Sequence, residues 1–327
     1  MKERILNIIK SSNGDFISGQ YISDTLGVTR TAIWKYINIL KDEGYVINSV
    51  PKKGYKLLSS PDLLSYEEIK TFLNTKYIGR NLKHFYSIDS TNLEAKRLAQ
   101  SGIKEAVVIS EEQTNGRGRL GRNWCSPKYK GIWMSLILSP SISPMEVTKI
   151  TQIAAASVYC ALKDMLIDSY IKWPNDIIIN NKKVCGILTE MSCELNKIDY
   201  VTVGIGLNVN IDKYDFPKDI LDMATSLSIE TSQIINRKKL AALILNNFEL
   251  LYDDFLNNNS ISKTISICKK NSLLLGKQIR IINKNNITLA KALDLDSEGR
   301  LIVQYQDGKE DIILSGEVSI RGLYGYV

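Results

Sequence analysis

Apolar positions recur every three to four residues over the first part of the chain and every second residue over the last. Residues 3–10 predict an amphipathic helix that ends at Asn13-Gly14. Ser18 is a good N-cap for a second helix over 19–26, and Gly27 then turns the chain sharply. In a third helix over 30–43, Ile33, Tyr36 or Ile37, and Leu40 fall at helical spacing. Thr29 caps its start and Gly44 stops it. Segments 45–50 and 55–58 flank Pro51-Lys52-Lys53-Gly54 as a hairpin. Helix, glycine turn, helix and hairpin together predict a winged helix-turn-helix over residues 1–60, with Ser59-Ser60-Pro61 as linker.

Residues 61–270 predict a second domain of mixed character. Ser65-Tyr66-Glu67-Glu68 reads as a capping box opening a helix to about 73. Strands are expected at 85–88, 106–110, 131–138, 170–173, 177–179, 184–190 and 200–209, and helices at 93–100, 147–166 and 237–256. Thr91 and Glu94 offer a second capping box. One largely antiparallel or mixed sheet with helices against it makes this an α+β domain. From 271 to 327 only short strands remain, at 277–282, 287–295, 301–306 and 310–320. Turns are expected at 283–286, 296–299 and Asp307-Gly308, which suggests a small SH3-like β-barrel.

The 327 residues are 44% apolar and 24% charged, as in an ordinary globular protein. No run approaches the roughly 18 apolar residues of a membrane span. The first residues lack the apolar core and cleavage site of a signal peptide. Five cysteines without a Cys-x-x-Cys pair argue against a disulfide framework or zinc site and suggest a reducing cytoplasm. His84 is the only histidine, so a His-rich metal site is excluded, and a surface or structural role is expected for it. The net charge is +7. Residues 1–58 hold nine Lys or Arg against five Asp or Glu, a net of +4. That excess favours DNA reading over protein interaction for the winged helix. Arg30, Thr31, Trp34, Lys35 and Asn38 on the outer face of the third helix are the candidate base and phosphate readers.

The densest chemical signal is Gly116-Arg117-Gly118-Arg119-Leu120-Gly121-Arg122. Its spacing matches neither a phosphate-binding P-loop nor a dinucleotide fingerprint. Alone, it is either a solvated basic loop or a mobile clamp for anionic groups. Lys172, at a strand end, can stabilise charge developing on a carboxylate or phosphoryl group. Asp176, Asn175 and Asn208 can orient a magnesium ion through water. Ser90, Thr91 and Asn92 read either as a helix start or as a polar receptor built on one. Gly186, Gly204 and Gly206 interrupt strands, which marks either tight packing or close approach to a ligand. No side-chain nucleophile lies beside a base. The set therefore favours positioning and charge stabilisation, as in phosphoryl or nucleotidyl transfer.

Asp89-Ser90-Thr91-Asn92, Gln113, the glycine-arginine run with Asn123-Trp124, Lys172-Trp173-Pro174-Asn175-Asp176, the 184–190 strand with Gly186, and Gly204-Ile205-Gly206-Leu207-Asn208 stand in the order seen in biotin–protein ligases. Ala224-Thr225-Ser226-Leu227 and Ser315-Gly316-Glu317-Val318-Ser319-Ile320-Arg321 resemble further motifs of that family. With the winged helix, the whole chain is similar to the bifunctional form that is both ligase and biotin operon repressor. The resemblance implies ATP-dependent activation of biotin to biotinyl-5′-AMP, with Mg²⁺. Transfer then follows to a lysine of the biotin carboxyl carrier protein, a subunit of acetyl-CoA carboxylase. It implies that Ser90, Thr91 and Gln113 contact the ureido head, with Asn92 adjacent. By the same resemblance Arg117, Gly118 and Arg119 would fold over the carboxylate and phosphate, Lys172 would stabilise the reacting charge, and Gly116, Gly186, Gly204 and Asn208 would complete the binding set. Trp124 is expected to anchor the far end of the loop. It further implies a cytoplasmic protein that pairs into a homodimer when adenylate-bound and represses at operator DNA. Two alternatives stay open, a biotin sensor without catalysis and a ligase for a related acid such as lipoate. Leu120 departs from the pattern by one basic residue but leaves both clamp arginines in place.

Overall fold

The computed structural model describes residues 1–327 except 13, 196, 284–285, 316–318, 323–325 and 327. Asn13, the middle of the expected 283–286 turn and Gly316-Glu317-Val318 of the C-terminal motif thus lie outside the described residues. Two compact units result, Met1–Leu63 and Leu64–Val327.

The first unit runs α1 (Lys2–Ser11), α2 (Gly19–Leu26), α3 (Arg30–Asp42), then the antiparallel pair β1 (Val46–Val50) and β2 (Gly54–Ser59). Ser18 Oγ accepts from Tyr21 N at 3.0 Å and Thr29 Oγ1 from Ala32 N at 3.2 Å, so both caps form as their residue types require. Gly27, at φ +64, makes the left-handed turn between α2 and α3. Ile5, Ile9, Ile22, Ile33, Ile37 and Leu40 close a core belonging to this unit alone.

The second unit begins with the single turn α4 (Tyr66–Ile69), which tightens into a 3-10 turn at Lys70–Phe72. Ser65 makes no side-chain cap bond, because Glu68, its expected capping-box partner, is drawn to Lys238 at 3.2 Å. There follow β3 (Leu82–Phe85), α5 (Thr91–Gln100), β4 (Ala106–Ser110), β5 (Gly131–Leu138), α6 (Val147–Asp164), β6 (Tyr170–Lys172), β7 (Asp176–Ile179), β8 (Lys182–Glu194) and β9 (Lys197–Asn208). Then come α7 (Leu227–Thr231), α8 (Arg237–Asn258) and α9 (Ser262–Lys270). The strand expected at 85–88 lies earlier in the chain, and α9 has no counterpart in the sequence reading.

The seven strands order as β3-β4-β5-β9-β8-β7-β6, with β3–β4 parallel and the rest antiparallel. Alternation sends Val107, Ile109, Met134 and Leu136 to one face, beneath α6 and α8. Ala154, Ala155 and Ala156 are fully buried on α6, where small side chains let α8 approach. Ala106, Val108 and Ile137 face the other way and pack with Ala95 of α5. The cavity lies on this second face.

The remaining strands are β10 (Gln278–Asn283), β11 (Asn286–Leu295), β12 (Leu301–Tyr305), β13 (Glu310–Ile313) and β14 (Ser319–Gly322). They form an antiparallel sheet ordered β13-β12-β11-β10-β14. The single strand expected at 310–320 is two strands on opposite edges. Among the described residues these edges do not pair, so the small SH3-like barrel expected here is shown only as far as an antiparallel five-stranded sheet. No helix among the described residues is long and apolar enough to cross a membrane.

Candidate functional site

One cavity of about 230 Å³ gathers residues from seven stretches of the second unit. Ser90, Thr91, Asn92, Gln113, Arg117, Gly118, Arg119, Lys172, Gly186, Gly204 and Asn208 all line it. Gly116 does not. It sits behind the lining, where its carbonyl accepts from Trp124 N at 2.9 Å and closes the base of the loop.

The first end of the cavity is polar and uncharged. Ser90 is the N-cap of α5, but its side chain makes no cap bond. The expected Thr91–Glu94 capping box is also absent. Glu94 pairs with Arg97 at 2.9 Å, and Thr91 is held elsewhere. Thr91 N and Oγ1 both donate to Gln113 Oε1, at 2.8 and 3.0 Å. Gln113 Nε2 donates to Ser126 Oγ at 2.8 Å. Ser135 Oγ, from β5, lies 2.8 Å from Thr91 Oγ1 and 2.6 Å from Asn92 Oδ1. Asn92 Nδ2 donates to Glu190 Oε2 at 2.9 Å. Ser90, Thr91 and Asn92 are each at most 5% exposed. Buried polar groups so interlinked hold their orientation and present a fixed pattern of donors and acceptors. Ser126 and Ser135 escaped the sequence reading, since nothing marks an isolated serine in a loop or strand.

The other end is cationic. Arg117, Arg119, Arg122, Lys172, Lys183 and Arg321 line it, and Asp176 is the only acid among the described lining residues. Burial, opposed by Asp176, pushes the Lys172 ammonium down to about 7. Burial also acts to raise the Asp176 carboxyl, but Lys183 and Lys172 outweigh it and hold it below the usual carboxylate range. Lys183 Nζ meets Asp176 Oδ1 at 2.5 Å. Such a site can bind phosphate oxygens and stabilise charge on a reacting carboxyl.

The glycine-arginine loop covers this end. Gly118 N donates to Arg122 O at 2.7 Å, Arg117 and Asn123 form a bridge, and Arg119–Gly121 is a 3-10 turn. Leu120 stands 69% exposed at its tip, so the residue that departs from the family pattern points to solvent. The far end is anchored by Trp124, which fits over Gly206. A β-carbon there would come within 2.5 Å of the indole Nε1. A β-carbon on Gly204 would collide with the Asn92 amide. The space left by both glycines is therefore taken by the protein's own side chains, which is the packing alternative.

Lys183, Phe216 and Tyr326 are charged or aromatic lining residues that the sequence reading did not name, while Arg122 and Arg321 stood in its motifs without being assigned to the site. Lys183 was hidden by a bulge, with Ile177 opposite Cys185 but Ile178 opposite Lys183, so simple alternation misplaces its side chain. The C-terminal sheet is tied to the site at the Trp-Pro turn, where Trp173 Nε1 donates to Gly299 O at 2.9 Å.

Comparison with known proteins gives a consistent picture. Residues 84–208 match the biotin/lipoate A/B protein ligase family, 2–56 an HTH domain, and 274–321 the biotin protein ligase C terminal domain. The chain is 39% identical over 314 residues to the bifunctional ligase/repressor BirA of Bacillus spizizenii, covering 95% of this chain and 96% of that protein. It is 26% identical over 312 residues to BirA of Escherichia coli, covering 95% and 94%. The biotin protein ligase of Aquifex aeolicus, solved with biotin and ATP, superposes with a TM-score of 0.65 at 30% identity, covering 74% of this chain and 99% of that one.

Proposed function

Because the chain belongs to the biotin–protein ligase family, in its bifunctional ligase/repressor form, we propose that the cavity described above carries out both halves of biotin transfer. A biotin carboxylate oxygen attacks the α-phosphorus of ATP and pyrophosphate leaves, giving biotinyl-5′-AMP. The amine of a lysine on the carboxyl carrier protein of acetyl-CoA carboxylase then attacks the acyl carbon, and AMP leaves. The observation that carries this reading is the polarity of the cavity. A neutral hydrogen-bonding end, around Thr91, Gln113 and Ser135, faces a cationic end around Lys172 and Lys183. A ureido ring suits the first and a carboxylate beside a phosphate suits the second.

In this reading Ser90, Thr91 and Gln113 orient the ureido group, with Asn92 fixing Thr91 through Ser135. Arg117 and Arg119 close over the carboxylate and α-phosphate, with Gly116 and Gly118 letting the backbone follow. Lys172 meets the charge that develops in the transition state. The covering loop excludes water, which would otherwise hydrolyse the mixed anhydride. Among the described residues no three or more His, Cys, Asp or Glu are placed to hold a metal. Asp176 is engaged by both Lys183 and the Tyr326 hydroxyl. This fits Mg²⁺ only as a partner of the ATP phosphates, where it neutralises charge, with Asp176, Asn175 and Asn208 reaching it at most through water.

The first unit reads operator DNA. Arg30, Thr31, Trp34 and Lys35 are exposed on α3, and Asn38 is half-buried beside them. A symmetric homodimer of the adenylate-bound chain would present two such helices to a two-part site in the cytoplasm. The deciding experiment is biotin-dependent ATP–pyrophosphate exchange followed by transfer to a carrier domain. Exchange with biotin and none with lipoate is expected. Absence of exchange, with biotin-dependent operator binding retained, would instead mark a sensor.

A further inference from the structure

Lys172 and Asp176 are register partners across the β6–β7 pair. An ammonium and a carboxylate so placed lie within reach of an ion pair. They do not make one. Among the described residues no carboxylate stands within ion-pairing distance of Lys172 Nζ, whereas Asp176 Oδ1 holds Lys183 Nζ at 2.5 Å. The side chain that touches both is Tyr326. Its hydroxyl donates to Asp176 Oδ2, and Lys172 Nζ lies 3.5 Å from the centroid of its ring. Arg321 Cζ lies over the same ring at 4.3 Å. Lys172 is 3% exposed, so the ring takes the place that water or a carboxylate would otherwise hold.

The consequence concerns how much charge Lys172 has to offer. Paired with Asp176, it would already be neutralised before any substrate arrived. An aromatic face attracts a cation more weakly than a carboxylate does, so the ammonium is held without being neutralised. We infer that Tyr326 is a positioning residue for the adenylation step, its hydroxyl holding the Asp176 carboxylate off Lys172 and its ring holding the Lys172 ammonium for the reacting carboxylate and α-phosphate. This rests on the ligase reading above.

The test uses the full chain with Tyr326→Phe and Tyr326→Leu, assayed by biotin-dependent pyrophosphate exchange over a range of ATP and biotin concentrations. A misplaced reacting group costs up to about 100-fold. Tyr326→Phe should therefore lower kcat by about 10- to 100-fold, while KM for ATP and biotin stays within about threefold of wild type. Tyr326→Leu should lose at least as much. The proposal is overturned if both variants keep wild-type kcat or if only KM rises. Faster turnover with a lower KM for ATP would overturn it too, since Tyr326 would then be an occluder. Exchange by the wild-type chain tests the ligase reading separately. A silent wild type would sink that reading first, and active wild type with unaffected variants would sink only the role of Tyr326.

Discussion

Arg119 Nη1 donates to Asn175 Oδ1 at 2.9 Å, so the glycine-arginine loop is fastened to the turn that follows β6. Asn175 is 6% exposed and gives its Nδ2 to Ile187 O at 2.7 Å, which fixes the fastening point itself. Arg119→Ala removes this fastening without touching the polar end of the cavity. The variant should still form adenylate but release it about 10- to 100-fold faster, as expected when a closing loop no longer sequesters its product. Labelled adenylate carried through gel filtration measures this, and unchanged retention counts against a clamp.

Lys172 predicts a pH signature. Burial lowers its ammonium from an ordinary 10.5 to about 7. The unfolded chain therefore binds this proton more readily between those values, and the residue's contribution to stability rises with pH across that window. For catalysis the charged form is the useful one. kcat/KM for exchange should decline as pH rises through about 7, because it reports the free protein. kcat should decline only at higher pH, since bound anionic substrates favour the ammonium. Coincident limbs in the two profiles would contradict this.

Glu111 and Arg237 are both fully buried, with Nη1 and Nη2 each 3.0 Å from Glu111 Oε2. Glu111 Oε1 also receives Leu64 N at 2.7 Å and lies 2.8 Å from His84 Nε2, which gives the lone histidine a structural partner. Arg237→Leu would strand a buried carboxylate and should cost about 3–5 kcal/mol in denaturant unfolding. Burial acts to raise the Glu111 carboxyl, but His84, Arg237 and the Leu64 amide outweigh it and leave the group below its usual value. Its stabilisation is thus present above the ordinary carboxylate range and lost as pH falls through the lowered value. A variant as stable as wild type would show that the network is dispensable.

Gly204→Ala probes the polar end. The added β-carbon would collide with the Asn92 amide, coming within 2.9 Å of Cγ. Overpacking of this kind costs about 1–3 kcal/mol. Because Asn92 and Thr91 share Ser135, the displacement should pass to the expected ureido contacts and weaken biotin binding at least about tenfold by calorimetry.

On α3, Trp34 is 60% exposed and Lys35 is exposed beside it. Lys35→Ala should weaken operator and non-operator DNA alike and reduce the salt slope of binding by about one. Trp34→Ala should alter preference between sequences more than the slope. Fluorescence anisotropy at several salt concentrations separates the two effects.

What the sequence disclosed was mostly local. Ser18 and Thr29 cap helices because capping depends on a few neighbouring residues, and β4 and β5 stand out as apolar runs because both of their faces are buried. The motif residues were legible as a set because each is unusual where it stands, as with an arginine between glycines or a lysine closing an apolar strand. Ser65 and Thr91 failed as capping boxes because tertiary partners, Lys238 and Gln113, outbid the local ones. Lys183 was masked by a bulge, and Tyr326 by distance, since nothing in its own surroundings hints at Asp176, 150 residues away.

The cavity wall runs from Ser90 to Tyr326, so its contacts are among the most non-local in the chain. Such pairings form slowly, and they cannot form before their last member leaves the ribosome. The winged helix has its own core and is free to fold once Leu63 has emerged. At typical elongation rates, roughly 13 to 50 s then pass before Tyr326 follows. During synthesis the DNA-reading unit therefore exists for tens of seconds without a completed ligand site to govern it.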